Sequence, residues 1–371
     1  MIDPKDKPEE FMNEEELMEA IIDEVDAMDD LPPSEGDRQH AATSDYFDTR
    51  TLSQPASGPD RKCPVRSCKE TLERRNGKRS QEFVCPVHKI KIHPKTFVYE
   101  DRLHNIRFER DYFKCAILKN KLKAETHRLG YENSEDALTW NVFTALARRG
   151  QLSTFLRRLF PELDVSDEPE LYLWGLKISL DGPVPKEQFD ALCAARKVFE
   201  SGIHKMNTEP DIMLYAPNRF LVLVEAKFTS PNTTVRPGAA DKPKEKPKTR
   251  KGILDRYSVD QLPPGSLLAP TDETPLFSQL YRNLVFAIYM AKQLKVQWGF
   301  VNLTSQRAYK KMSDDVTAFS NAVLPPESRH RFVRCTWEQL FRDHVEGKAD
   351  LDELATYMRH KSANCVQAFG I

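Results

Sequence analysis

The chain has 371 residues, 55 of them Lys or Arg and 56 Asp or Glu, for a formal net charge of −1. Its longest apolar runs, such as Leu284 to Ala291, fall far short of the roughly 20 residues that span a bilayer, and its acidic start does not suit a secretory signal with a basic first segment. Seven cysteines, an odd number at low density, argue against a secreted disulfide scaffold. The sequence therefore reads as a soluble, cytoplasmic protein of about two or three domains.

The neutral total hides a division. Residues 1–37 carry fifteen acids against Lys5 and Lys7, a sum of −13 that leaves +12 for the remainder. Such asymmetry points to a polyanionic partner. Within the acidic stretch Phe11, Leu17, Met18, Ile21, Ile22, Val25 and Met28 recur at helical spacing, which predicts one amphipathic helix in a solvated segment. This segment is expected either to dock a protein partner or to cover a basic groove in the absence of ligand. Residues 32–60, rich in Pro, Ser, Gly and Asp, read as a linker, so 1–60 is predicted to be largely disordered.

Residues 61–128 form a basic module, with nineteen Lys or Arg against eight acids, or +11. The module holds Cys63-Pro-Val-Arg-Ser-Cys68 and then Cys85-Pro-Val-His88. Zinc favours four Cys or His ligands in two closely spaced pairs, and such a site can hold a segment too small to fold alone. Cys63, Cys68, Cys85 and His88 thus look like a structural zinc ribbon, with His93 competing as the fourth ligand. The surplus charge suits phosphate contacts that position the protein on nucleic acid without reading sequence. Phe97, Tyr99, Phe108, Tyr112 and Phe113 follow and suit core packing better than base stacking.

From residue 129 the pattern becomes α/β. Ser134 is placed to cap a helix whose apolar face holds Ala137, Leu138, Val142 and Leu146, ending near Gly150. Leu171 to Ile178 reads as one strand. Another begins at Asp211, turns at Ala216-Pro-Asn-Arg219, and returns as the apolar run Phe220 to Phe228. The stretch Arg236 to Arg256 has eight basic residues against three acids and three prolines, and reads as a solvated loop. Phe277 to Gln293 has helical period, Val296 to Leu303 returns as a strand, Phe332 to Thr336 suits a further strand and Trp337 to Val345 a helix.

The chemistry centres on Glu209-Pro210-Asp211 and Val224-Glu225-Ala226-Lys227. Alternate strand residues share a face, so Glu225 and Lys227 project together from an apolar run, a costly arrangement unless they are paired or bind something. A hairpin brings Asp211 close to Glu225. Two carboxylates and an ammonium then suit Mg²⁺ and an activated water beside a phosphate. Four acid-x-Lys triplets occur in the chain, but only Glu225 to Lys227 lies in an apolar strand with an upstream Pro-Asp.

On these residues the sequence resembles the PD-(D/E)XK nuclease superfamily over residues 133–305, with 306–345 as an extension. The resemblance implies a restriction-endonuclease-like core of helix, three strands, helix and strand, preceded here by the zinc-ribbon-like module and the acidic segment. The nuclease-like domain then runs over 129–371. It further implies Mg²⁺- or Mn²⁺-dependent hydrolysis of DNA, with Asp211, Glu225 and the carbonyl of Ala226 as metal ligands and Lys227 acting on the water or the phosphate. Many members add a helix acid, here Glu135 or Asp136, with Glu135 preferred. Gln279 and Arg282 on the later helix are candidate phosphate contacts. A role in restriction or defence against foreign DNA follows at family level, and a homodimer is compatible with it. The alternative is a catalytically inactive nuclease-fold protein that binds nucleic acid or serves as a regulatory subunit.

Overall fold

The run from Phe220 to Lys227, every residue of it buried, becomes an inner strand of a six-stranded sheet in the computed structural model. The structure describes residues 61–62, 71–72, 83–87, 91–93, 96–99, 101–118, 126–182, 188–203, 208–229, 232, 234, 249–311, 313–363, 366–369 and 371. In chain order the strands of the sheet are β1 (Glu170–Leu173), β2 (Leu176–Ile178), β3 (Ile212–Ala216), β4 (Phe220–Lys227), β5 (Gln297–Thr304) and β6 (Phe332–Thr336). Their spatial order is β6-β5-β4-β3-β1-β2; β4, β5 and β6 run parallel, and the β4–β3, β3–β1 and β1–β2 pairs are antiparallel. The mixed sheet is compatible with the predicted restriction-endonuclease-like core.

Helices cover both faces. On one side Leu221 and Leu223 of β4 join Phe300 of β5 in a core completed by α3 (Asp190–Phe199), α4 (Arg250–Arg256), α5 (Ser278–Leu294) and α7 (Ser313–Val323). On the other, α1 (Glu135–Arg148), α2 (Leu152–Leu159) and α8 (Trp337–His344) meet through Phe143, which lies edge-on to both Phe155 and Trp337. Helix α6 (Gln306–Lys311) leaves β5, and α9 (Asp352–His360) follows α8. At Gly299 a Cβ atom would stand 3.0 Å from the Phe160 ring and 3.1 Å from Val222, so glycine lets this second layer approach the sheet.

The predicted elements from 134 onward form, with two corrections. Arg250–Arg256, read as the end of a solvated loop, is helix α4, because Thr249 caps it by accepting from Gly252 N and Ile253 is buried in the core. The run Leu171 to Ile178 is two strands, because Trp174 and Gly175 both take positive φ (52° and 86°) and reverse the chain. A two-residue hairpin loop needs this left-handed backbone, and a Cβ at Gly175 would lie 2.7 Å from Leu192 Cδ2. Elsewhere the local chemistry matches expectation. Ser134 accepts a hydrogen bond from the amide of Ala137 at the start of α1. The β3–β4 turn closes through Arg219 N to Ala216 O at 3.1 Å, with Asn218 in the left-handed region. Thr336 and Gln339 form a reciprocal cap on α8.

Before residue 100 the described strands form a two-stranded pair (Arg61–Lys62 with Thr71–Leu72) and a three-stranded antiparallel sheet (Phe83–Val84, Lys91–His93, Thr96–Val98). Cys85, just after one of these strands, is buried. Cys63, Cys68 and His88 lie outside the described residues, as do the acidic segment and most of the 236–256 loop. Residues assigned by sequence to the basic module are bonded into the α/β domain: Tyr99 N donates to Gly130 O, and Asn141 of α1 accepts from Arg107 N and Phe108 N. Phe113 and Tyr112 pack on Trp140 of α1, as core packing requires.

One core histidine makes this layer sensitive to acid. His344 of α8 is 3% exposed and sits edge-on to Phe155. Burial, aided by Lys348 and opposed by Asp343, pushes its pKa down from 6.5 to about 4. The stability gained from its neutral form is whole above the unfolded value of 6.5 and is lost as pH falls toward 4. In urea unfolding, His344→Phe is expected to remove about 1–3 kcal/mol of the decline between those pH values. An unchanged pH profile would assign the decline to other groups.

Candidate active site

The site forms where β3 begins and β4 ends. Antiparallel register sets Ile212 opposite Val224, which places Asp211 beside Glu225. The Asp211 Oδ2 atom accepts a hydrogen bond from Ala226 N at 2.9 Å, tying the start of β3 to the end of β4. The approach to Asp211 is held by Glu200, which is buried and accepts from the amide of Thr208 and, at 2.7 Å, from the hydroxyl of Tyr257.

Lys227 is the hub. Its side chain is only 6% exposed, and its Nζ lies 2.6 Å from Glu225 Oε1, 3.1 Å from the carbonyl of Ala226 and 3.1 Å from Glu135 Oε1. Glu135 reaches in from the first turn of α1, and its second oxygen accepts from the Phe228 amide at 2.7 Å. Of the two helix acids the sequence offered, Glu135 is therefore the one joined to Lys227. The backbone of Lys227 is also fixed, since its carbonyl accepts from Trp337 Nε1 at 3.1 Å.

Burial and charge oppose each other here. Burial disfavours the Lys227 ammonium, but Glu225, Glu135 and Asp211 outweigh it and hold its pKa well above the ordinary lysine value. For Glu135, burial raises the carboxyl pKa, against the lowering effect of Lys227 and of the Phe228 amide, with Glu225 adding to the rise. Three carboxylates around one ammonium leave a net charge of −2 when all are ionised. Such a cluster can shed the excess by protonating Glu135 or by taking up a divalent cation.

The donor set fits a small hard cation. The ammonium already occupies an all-oxygen nest that includes a Glu225 oxygen and the Ala226 carbonyl, the type of ligand that Mg²⁺ prefers. Glu225 Oε1 accepts no hydrogen bond of good geometry among the described residues and faces only this positive charge. Among the described residues no three His, Cys, Asp or Glu side chains surround one point at metal-binding distance.

Gln279 lies on the first turn of α5, half-buried, and makes no hydrogen bond to the cluster among the described residues. Arg282 bonds back to its own helix through Ser278 O. The residue that α5 does deliver is Asn283, four positions after Gln279 and so on the same face. Its Nδ2 donates to Glu225 Oε2 at 2.5 Å, and both side chains are buried. Sequence reasoning passed over Asn283, although it is an amide directly before the apolar run Leu284 to Ala291. Asn302 of β5, register partner of Glu225, accepts from Asn232 at 3.0 Å and adds a second buried amide pair.

The mixed sheet order is compatible with a restriction-endonuclease-like fold. The chain belongs to the family described as Restriction Endonuclease associating with ARP, which matches residues 66–361. No curated protein and no solved structure matches the chain significantly. Among the described residues no helix is long and apolar enough to cross a membrane.

If Asn283 satisfies Glu225, removing the donor leaves a buried carboxylate oxygen without its partner. Asn283→Leu is expected to lower the unfolding free energy by about 1–3 kcal/mol, and Asn283→Asp, which sets a like charge against Glu225, by more. Wild-type stability in both variants would show that the contact carries no weight.

Proposed function

We propose that the protein is a metal-dependent endonuclease that hydrolyses phosphodiester bonds of DNA, acting in restriction of foreign DNA. The observation that carries this reading is the Lys227 ammonium in its nest of Glu225, Ala226 and Glu135 oxygens, with Asp211 tied to the same strand end. Asp211, Glu225 and the Ala226 carbonyl are the residues to hold Mg²⁺ or Mn²⁺. When bound, the ion supplies an acidified water and positive charge beside the phosphate.

The chain's own groups then have distinct tasks. Asn283 and the Ala226 amide hold the Glu225 and Asp211 carboxylates in place. Lys227 keeps its proton next to these acids, so it serves as a hydrogen-bond donor that orients the water and stabilises charge developing on the phosphate. Glu135 sets the side toward which Lys227 leans. Gln279, one turn before Asn283, is the proposed contact to the DNA backbone. The family description supports ARP as a partner for this chain; the acidic residues 1–37 offer a docking or self-inhibitory segment, and a homodimer would present two such sites.

Circular and linear DNA incubated with the protein should be cut in Mg²⁺ or Mn²⁺ and left intact in EDTA, and Lys227→Ala should lower kcat at least about a hundredfold. Cutting that persists in EDTA, or that is indifferent to Lys227→Ala, would sink the reading.

The zinc-ribbon reading of Cys63, Cys68, Cys85 and His88 stands as a second proposal, supported by their spacing and by the burial of Cys85. Metal analysis should find about one zinc per chain, lost when Cys63 and Cys85 are both changed to Ser. A folded, zinc-free wild-type protein would refute it.

A further inference from the structure

The segment after α9 grips the Glu135–Lys227 contact from two sides. On one side, Lys361 Nζ donates to the backbone carbonyl of Glu132 at 2.6 Å and to Asn105 Oδ1 at 2.9 Å, and stands 3.8 Å from Glu132 Oε2. Both the Lys361 and Glu132 side chains are fully buried. Glu132 also accepts from the Tyr99 hydroxyl, and Asn133 N donates to Thr96 Oγ1, so the turn that starts α1 is held by several elements just before Glu135. The Tyr357 ring lies 4.7 Å from the Lys361 ammonium and completes the enclosure.

On the other side, the chain folds back through a short hairpin, Ser362–Ala363 with Val366–Gln367, closed by Ala368 N to Lys361 O at 2.8 Å. Phe369 is 2% exposed, and its ring meets that of Phe228 at 5.2 Å between centroids. Phe228 follows Lys227 directly, and its amide donates to Glu135 Oε2. One short segment thus holds the residue three before Glu135 and the residue one after Lys227.

We propose that Lys361 and Phe369, which flank the short hairpin, act as a strap that sets the catalytic geometry, as positioning residues for Glu135 and Lys227. A buried ammonium is a costly way to seat a short segment, since apolar side chains would pack there without a desolvation penalty. What the ammonium adds is direction: it binds one particular backbone carbonyl and so fixes one register of the turn that launches α1. The ring contact of Phe369 fixes the other side of the same contact. The proposal rests on the reading of Glu135 and Lys227 as part of a nuclease site.

Amide hydrogen exchange and cleavage kinetics on the full chain test the strap separately from the activity. In Lys361→Met and in Phe369→Ala, exchange at the Phe228 amide is expected to rise about tenfold or more while the β4 interior amide of Val224 keeps its wild-type rate. The same variants should lose about tenfold or more in kcat with KM for DNA nearly unchanged, and Phe369→Leu, which keeps an apolar contact, should restore both readouts. Lys361→Met risks misfolding because it leaves Glu132 without its buried cation, and in that case Phe369→Ala decides. Wild-type Phe228 exchange and kcat in Phe369→Ala would overturn the strap, as would exchange rising equally at Phe228 and Val224. Should the wild-type protein cut no DNA, the exchange data still decide the strap, and only the nuclease reading fails.

Discussion

A lysine ammonium buried at the end of an apolar strand is the constraint around which this structure is arranged. Lys227 cannot remain charged at 5% exposure unless acids surround it, and Glu225, Glu135 and Asp211 do so. That requirement joins elements distant in sequence: the first turn of α1, the β3–β4 hairpin and, through Asn283, helix α5. It also leaves the cluster with more negative than positive charge. An apolar strand end would pack more cheaply, so the retained charges are best understood through what they bind.

The surrounding fold serves to hold those charges still. Every residue of β4 is buried between two helix layers, which leaves its end little freedom to move. The carbonyl of Lys227 is pinned by Trp337, the amide of Phe228 by Glu135, and the approach to Asp211 by Glu200, Thr208 and Tyr257. These contacts come from separate stretches of chain, so the geometry depends on the whole domain having folded.

Much of this was legible in the sequence where local rules decide. The apolar run ending in Glu225-Ala226-Lys227, the turn at Pro217-Asn218 and the cap at Ser134 each follow from residue type and spacing. The hairpin within 171–178 was not, because Trp174, a bulky residue, takes a positive φ that residue type does not suggest. The preference for Glu135 over Asp136 rested on little, since both lie in the first turn and only the distance to Lys227 separates them. Asn283 and Lys361 went unread for a related reason. The sequence does not say which partner a polar side chain will find after folding, and theirs lie 58 and 229 residues away.

Charge is organised at two scales. Along the chain an acidic segment precedes a basic one, an arrangement suited to a polyanion; within the site, three acids and one lysine form a locally negative nest. The most direct test of that nest is a calorimetric titration of the protein with Mn²⁺, without DNA, beside its Glu225→Gln variant. The account predicts saturable binding of a divalent cation by the wild-type chain that is lost in Glu225→Gln. Binding that Glu225→Gln leaves unchanged, or no binding by the wild type, would contradict it.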